Sequence, residues 1–241
     1  MAGSVIVLGV GAERGLGAAI ARRFAKEGLH TIVSSRTRDK LDTVVESIAA
    51  DGGSAEARAA NATDAGDMAA LFDYAAERGP IDAVIYNVGN NAIIPFGELT
   101  PEQFEQFWRV CCLGGMLTAK AAMPILANQG HGSMLFTGAS ASMRGRPAFA
   151  HFAAAKAGLR MLAQSLAREY GPQGVHVGHV IVDGVIDGEM VRSRFGDYLE
   201  QLGEDGSLDP DAIAENFWHL HSQHRSAWTH EIDLRPFKEN W

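Results

Sequence analysis

Short apolar runs alternate along the chain with longer stretches in which apolar residues return every three or four positions. The runs at 5–10, 31–35, 55–60, 81–86, 133–137, 175–182 and 231–234 read as strands, the third of them weakly patterned. The periodic stretches at 17–28, 39–51, 65–78, 101–129, 148–170 and 209–222 read as helices. Strand then helix, repeated this often, builds crossover units that lie right-handed on a parallel sheet and cover both of its faces. The expected fold is α/β: a single doubly wound, Rossmann-type domain over 1–241, with a mostly parallel sheet of about seven strands and helices on both faces. The stretch 184–208, with several glycines and acidic residues, has no clear period and is expected to be a mobile insert covering a substrate.

The first strand runs directly into Gly11-Ala12-Glu13-Arg14-Gly15-Leu16-Gly17, which opens a helix. Glycines at such a junction let backbone approach a pyrophosphate, and the helix N-terminus attracts the anion. The second strand ends at Ser34-Ser35-Arg36. A carboxylate there would accept from the ribose 2′-hydroxyl of NAD, and the strand end carries none. A guanidinium there matches a 2′-phosphate instead. Arg36, joined by Arg14 from the glycine turn, therefore points to NADP as cofactor, with NAD as the alternative.

Charge and composition narrow the partners. The net charge is −8, against the basic face that nucleic acid demands. No apolar run is read as long enough to cross a bilayer, so no membrane partner is expected. The beginning of the chain lacks a basic region and a cleavage signal, and a cytoplasmic location follows. Cys111 and Cys112 are adjacent, a poor geometry for a disulfide and too few thiols for zinc. His219, His221 and His224 fall on one helix without a carboxylate or thiol to complete a set, so no metal is expected.

With these residues in place, the chain resembles the short-chain dehydrogenases/reductases over nearly its whole length. Gly11, Gly15 and Gly17 match that family's cofactor turn, with Val10 where Thr is usual. Asn61 and Ala62 match the segment that contacts adenine. Asn87-Val88-Gly89 resembles the Asn-Ala-Gly motif, and Phe152-Ala-Ala-Ala-Lys156 the Tyr-x-x-x-Lys helix. Asp183-Gly184-Val185-Ile186 replaces a Pro-Gly segment, which puts Ile186 backbone at the nicotinamide carboxamide. The resemblance implies a small-molecule substrate and a homodimer or homotetramer formed through helices 101–129 and 148–170.

The resemblance breaks at the proton-transfer set. Phe152 stands where the family has its Tyr and carries no hydroxyl; Cys111 stands at the Asn position. The Ser position falls on Ala139 or on Ser140, thirteen or twelve residues before Phe152. Lys156 matches cleanly. The expected catalytic residues are Lys156, as acid or as ribose clamp, and Ser140. His151 points about 100° away from Phe152 on the helix and is expected at the pocket edge, partly exposed. Arg144 and Arg146 are either a recognition site for an anionic substrate or solvated loop charges. Two functions follow: an NADP(H)-dependent oxidoreductase for a carbonyl, alcohol or activated alkene, or a non-catalytic NADP(H)-binding protein. A lyase or dehalogenase on the same frame is a weaker third. Trp228, Phe237 and Trp241 supply large apolar area for subunit packing or for folding back on the same chain.

Overall fold

β1 (Ser4–Leu8) shows why the chain folds in layers. Its five residues are all buried and alternate between two cores. Val5 and Val7 join one with Phe24, Leu41, Val44 and Phe217, while Ile6 and Leu8 join the other with Phe72, Met123, Leu126 and Phe136. A strand with no solvent face reads as a continuous apolar run, as parallel strands under helices on both faces must.

A computed structural model describes residues 3–239 of the 241. After β1 come α1 (Leu16–Lys26), β2 (His30–Ser35), α2 (Asp39–Ala50), β3 (Ala55–Ala59), α3 (Ala65–Ala76), β4 (Ile81–Tyr86) and α4 (Pro101–Trp108). α5 (Gly114–Gln129), β5 (Ser133–Thr137), α6 (Ala150–Tyr170), β6 (His176–Val182), α7 (Glu189–Leu202), α8 (Pro210–His221) and β7 (Glu231–Leu234) complete the chain. The seven strands form one sheet in the order β3-β2-β1-β4-β5-β6-β7, with every pair parallel. The order reverses between β1 and β4, and the crevice beyond their carboxyl ends is where doubly wound sheets bind ligands.

Local chemistry fixes the helix starts. Asp64 accepts from the Asp67 amide before α3, and Asp209 from the Asp211 amide before α8. Thr100 and Gln103 form a reciprocal capping box before α4, with Pro101 in the first turn.

Two expectations change, both at 101–129, and two stretches left open by the sequence take a definite form. The stretch 101–129 is not one regular helix: Arg109–Leu113 forms a π turn between α4 and α5. The Tyr86 hydroxyl donates to the Val110 carbonyl there at 2.6 Å, and Gly114 leaves room for it, since a Cβ would stand 2.3 Å from that oxygen. The same 29-residue stretch is long and apolar enough to cross a membrane, contrary to the sequence reading; half of its most apolar window is buried inside this fold. The 184–208 stretch contains α7, kinked at Phe195, where φ is −139° and ψ 36°. Trp228 folds back on its own chain, stacked on His176 with ring centroids 4.9 Å apart. Phe237 is exposed, and Trp241 lies outside the described residues.

Candidate functional site

β1 ends in a turn packed too tightly for side chains. A Cβ on Gly17 would stand 2.7 Å from the Gly9 carbonyl and 2.9 Å from the Val10 Cα. α1 therefore starts directly over the strand end. Gly15 is its N-cap, no side chain caps it, and no acidic residue enters its first turn. The amides and the positive helix end are left available to an anion. A Cβ on Gly11 would meet nothing within 4 Å, so the space above the turn is open.

From Gly9 and Val10 a cleft of about 360 Å³ crosses the carboxyl ends of β2, β3 and β4. Arg36, Asn61, Ala62, Asn87, Val88 and Gly89 all line it, as the sequence places them. Gly11, Gly15 and Gly17 continue the turn beyond its edge, and Leu16 sends its side chain into the core, leaving only its backbone for a ligand. Ile186 sits in the loop after β6, bridged to Leu208.

The inner end is organised by three hydrogen bonds. The Lys156 ammonium, buried in α6, donates to the Thr137 carbonyl at 2.8 Å. The Thr137 hydroxyl donates to Asn87 Oδ1 at 2.9 Å, and Asn87 Nδ2 donates to the Gly9 carbonyl at 3.3 Å. Lys156 is thereby tied through β5 and β4 to the glycine turn. Gly89 separates Lys156 from the cleft by one backbone: a Cβ there would stand 3.5 Å from Nζ and 3.9 Å from Cys111 Sγ. Burial pushes the Lys156 pKa down, and the Cys111 thiol opposes that shift. Phe152 lies one turn earlier, its ring centroid 5.8 Å from Nζ. Ser140 opens a short 3-10 turn after β5 that packs against α6. Cys111 Sγ donates weakly to the Asn90 carbonyl at 3.6 Å.

The matches to known proteins fit this layout. The family model for short chain dehydrogenase matches residues 5–198. The chain belongs to the short-chain dehydrogenase family. A short-chain dehydrogenase from Rhodopseudomonas palustris is 35% identical, with TM-score 0.82 over 97% of this chain and 99% of that one. A metagenomic short-chain oxidoreductase in complex with NADP is 26% identical, with TM-score 0.83 over 99% of both chains. An oxidoreductase of Sarocladium schorii is 31% identical over 188 residues, 78% of this chain and 74% of the relative.

In this short-chain dehydrogenase several side chains stand elsewhere than their sequence positions suggest. Arg14 does not join Arg36: its guanidinium pairs with Asp187 at 3.2 Å, and its carbonyl accepts from the Glu189 amide at 2.9 Å. Asp187, shared by Arg192 and Arg14, has its pKa held low by them. Arg144 is neither a free anion receptor nor a solvated charge. It grips the buried carboxylate of Asp183, which Arg235 also approaches. Arg146 lies 3.9 Å from Glu239. His151 is fully buried rather than at a pocket edge, because Phe107 of α4 covers it at a 4.2 Å ring distance. Its pKa is lowered by that burial. The three histidines of α8 and its following turn have separate partners: His221 bonds Ser133, His219 bonds Gln223, and His224 bonds Ser226.

Sequence reasoning missed Gln106 and Arg109, which also line the cleft. Their signal was their helix, read only as a packing element. It also missed Thr137, whose carbonyl and hydroxyl both serve the inner end.

Proposed function

We propose that this chain is an NADP(H)-dependent oxidoreductase for a small carbonyl or alcohol, or an activated alkene, with an altered proton-transfer set. One observation carries the reading: a buried lysine, Lys156, is hydrogen-bonded to Thr137 just behind Gly89 of a cleft that is also lined by Arg36, a cation without a partner among the described residues. The fit to a dinucleotide rests on the uncapped α1, the open space above Gly11, and Asn61 and Ala62 across the cleft. NADP, when bound, supplies hydride transfer. The glycine turn of Gly11, Gly15, Leu16 and Gly17 gives backbone to the diphosphate. Asn87, Val88, Gly89 and Ile186 give backbone to the inner half, and Lys156 clamps the ribose. NAD remains a weaker ligand in this reading, because no carboxylate stands at the end of β2.

Phe152 cannot move a proton, so the substrate oxygen takes its proton from another source. In this reading Ser140, in the short turn before α6, hydrogen-bonds that oxygen, and Lys156, with Nζ 5.8 Å from the Phe152 ring centroid, supplies the proton. A substrate already activated toward hydride, such as an enone, needs least help. The 184–208 stretch serves as a cover: the ion pair of Arg14 and Asp187 joins it to the glycine turn. A homodimer or homotetramer is supported by the half-exposed Trp108 of α4 and Met161 of α6.

The test is hydride transfer from NADPH to a panel of carbonyls and enones. Turnover above background on any class supports the reading, and background rates on all of them refute it. Phe152 favours one second reading, a non-catalytic NADP(H)-binding protein. Phe152→Tyr separates the two. Restored reductase activity in a silent protein means a reductase pocket that lost its acid; a rate already present in wild type, raised about 10²-fold or more, means a slow enzyme.

A further inference from the structure

The cleft from Gly9 to Val110 is lined by two charged side chains, both arginines, and by no carboxylate, in a chain of net charge −8. Arg36 is exposed after β2 and makes no hydrogen bond or ion pair with another described residue. Arg109 opens the π turn and lines the same cleft, with Gln106 and Val110. Its ion pair is with Glu105, one helical turn back at 3.4 Å, with both side chains at least half exposed. Such a pair is weak and exchanges readily for a better anion. Arg14, the guanidinium that the sequence offers as a second phosphate ligand, is committed to Asp187.

We infer that Arg109 is the second cation of the 2′-phosphate subsite, closing on it from the α4 end of the cleft that Arg36 also lines. The inference rests on the NADP reading above and assigns a specificity residue within it. A phosphate monoester carries close to two negative charges and accepts several N–H donors at once. One solvated arginine answers only part of that charge. Two guanidinium forks lining one cleft answer it and fix its orientation. The π turn matters because it sets the start of the wider helical turn at Arg109, where the side chain leaves α4 on the cleft side. Glu105 keeps Arg109 paired until a stronger anion arrives.

Calorimetry on the full chain at about 50 mM salt, where surface charge is little screened, provides the test. The probes are 2′,5′-ADP, 5′-AMP, NADP and NAD, titrated into wild type, Arg109→Gln and Glu105→Gln. Arg109→Gln should weaken 2′,5′-ADP about tenfold and 5′-AMP less than about twofold. Glu105→Gln should tighten 2′,5′-ADP about two- to threefold by releasing the guanidinium. Equal losses for both small probes in Arg109→Gln would mean stacking on adenine and would overturn the inference, as would no loss at all. Wild type that binds none of the four nucleotides refutes the NADP reading itself. Wild type that binds them while Arg109→Gln changes nothing refutes only the role of Arg109.

Discussion

Arg144 holds the carboxylate of Asp183 through two hydrogen bonds from one nitrogen, at 3.0 and 2.8 Å, across the ends of β5 and β6. The Asp183 side chain is 2% exposed. A carboxylate so far from water is tolerable only while its partners stay. The pair thus fixes the loop that carries Ser140 against the loop that carries Ile186, on the two sides of the proposed substrate position.

The first prediction follows from the unequal burial of the two partners. Arg144→Met leaves Asp183 with Arg235, 3.5 Å away, as its remaining cation. The expected loss is about 2 kcal/mol, below the roughly 3–5 kcal/mol of a wholly unpaired buried charge. Asp183→Asn instead leaves Arg144, whose side chain is 35% exposed, free to turn to water. That change should cost about 1 kcal/mol. Urea unfolding of the two variants measures the difference. Equal losses, or the larger one in Asp183→Asn, would show that the ion pair does not control this junction.

A second prediction concerns acid. His179 on β6 is fully buried, and its pKa is pushed down to about 4 by that burial, against the opposing pull of Glu231. Nδ1 pairs with Glu231 at 2.9 Å, while an added Cβ on Gly138 would stand 2.3 Å from Nε2, so no water fits beside the ring. His221 is likewise pushed down to about 4 by burial. Both groups bind a proton more readily in the unfolded chain, where a histidine titrates near 6.5. The folded state is therefore unpenalised above about pH 6.5 and loses stability as pH falls from there toward 4. Each shift amounts to about 3 kcal/mol at the low end. His179→Gln should remove its own share of that slope between pH 6.5 and 4 and leave the shares of His221, His151 and His176, also lowered by burial. An unchanged slope would place the acid sensitivity elsewhere.

How much of this could be read from residues alone differs by scale. The strands at 81–86, 133–137 and 231–234 match the structure residue for residue, the first two as mostly apolar runs and the last as a polar–apolar alternation. The cofactor turn was legible for the same local reason. Contacts across the fold were not. Nothing near Arg144 announces Asp183, 39 residues on. His151 could be aimed by helical geometry, yet its burial depends on where Phe107 of α4 arrives. The π turn at Arg109–Leu113 arises from a tertiary contact, the Tyr86 hydroxyl on Val110, and leaves no periodic trace in composition. α7 was hidden by Gly196 and by the kink at Phe195, which break the helical period in the middle.

The last prediction sets stability against function at Lys156. The ammonium is 5% exposed and donates to one carbonyl, Thr137, beside the apolar Phe152 ring. Burial lowers its pKa, and the Cys111 thiol only partly restores it. A lysine whose folded pKa lies below its unfolded one is penalised in its charged form. The penalty is complete at pH values below the folded pKa and is relieved as pH rises toward the ordinary lysine range, near 10.4. Lys156→Met, similar in length and without charge, should thus be more stable than wild type at pH 7, by about 1 kcal/mol or more, as happens when functional sites carry strain. The advantage should shrink as pH rises toward the ordinary lysine range, since wild type sheds its proton on the way and the variant has none to shed. Groups that titrate in both proteins cancel in the difference, which isolates Lys156. The same variant should bind NADP about tenfold more weakly and lose 10²–10⁴ in any hydride-transfer rate, as expected for a residue that clamps the ribose and holds the nearest proton. Thermal unfolding across this pH range, paired with calorimetric titration, reads both effects. A methionine variant less stable than wild type at pH 7 would show that the bond to Thr137 outweighs desolvation, and that Lys156 is retained for the fold.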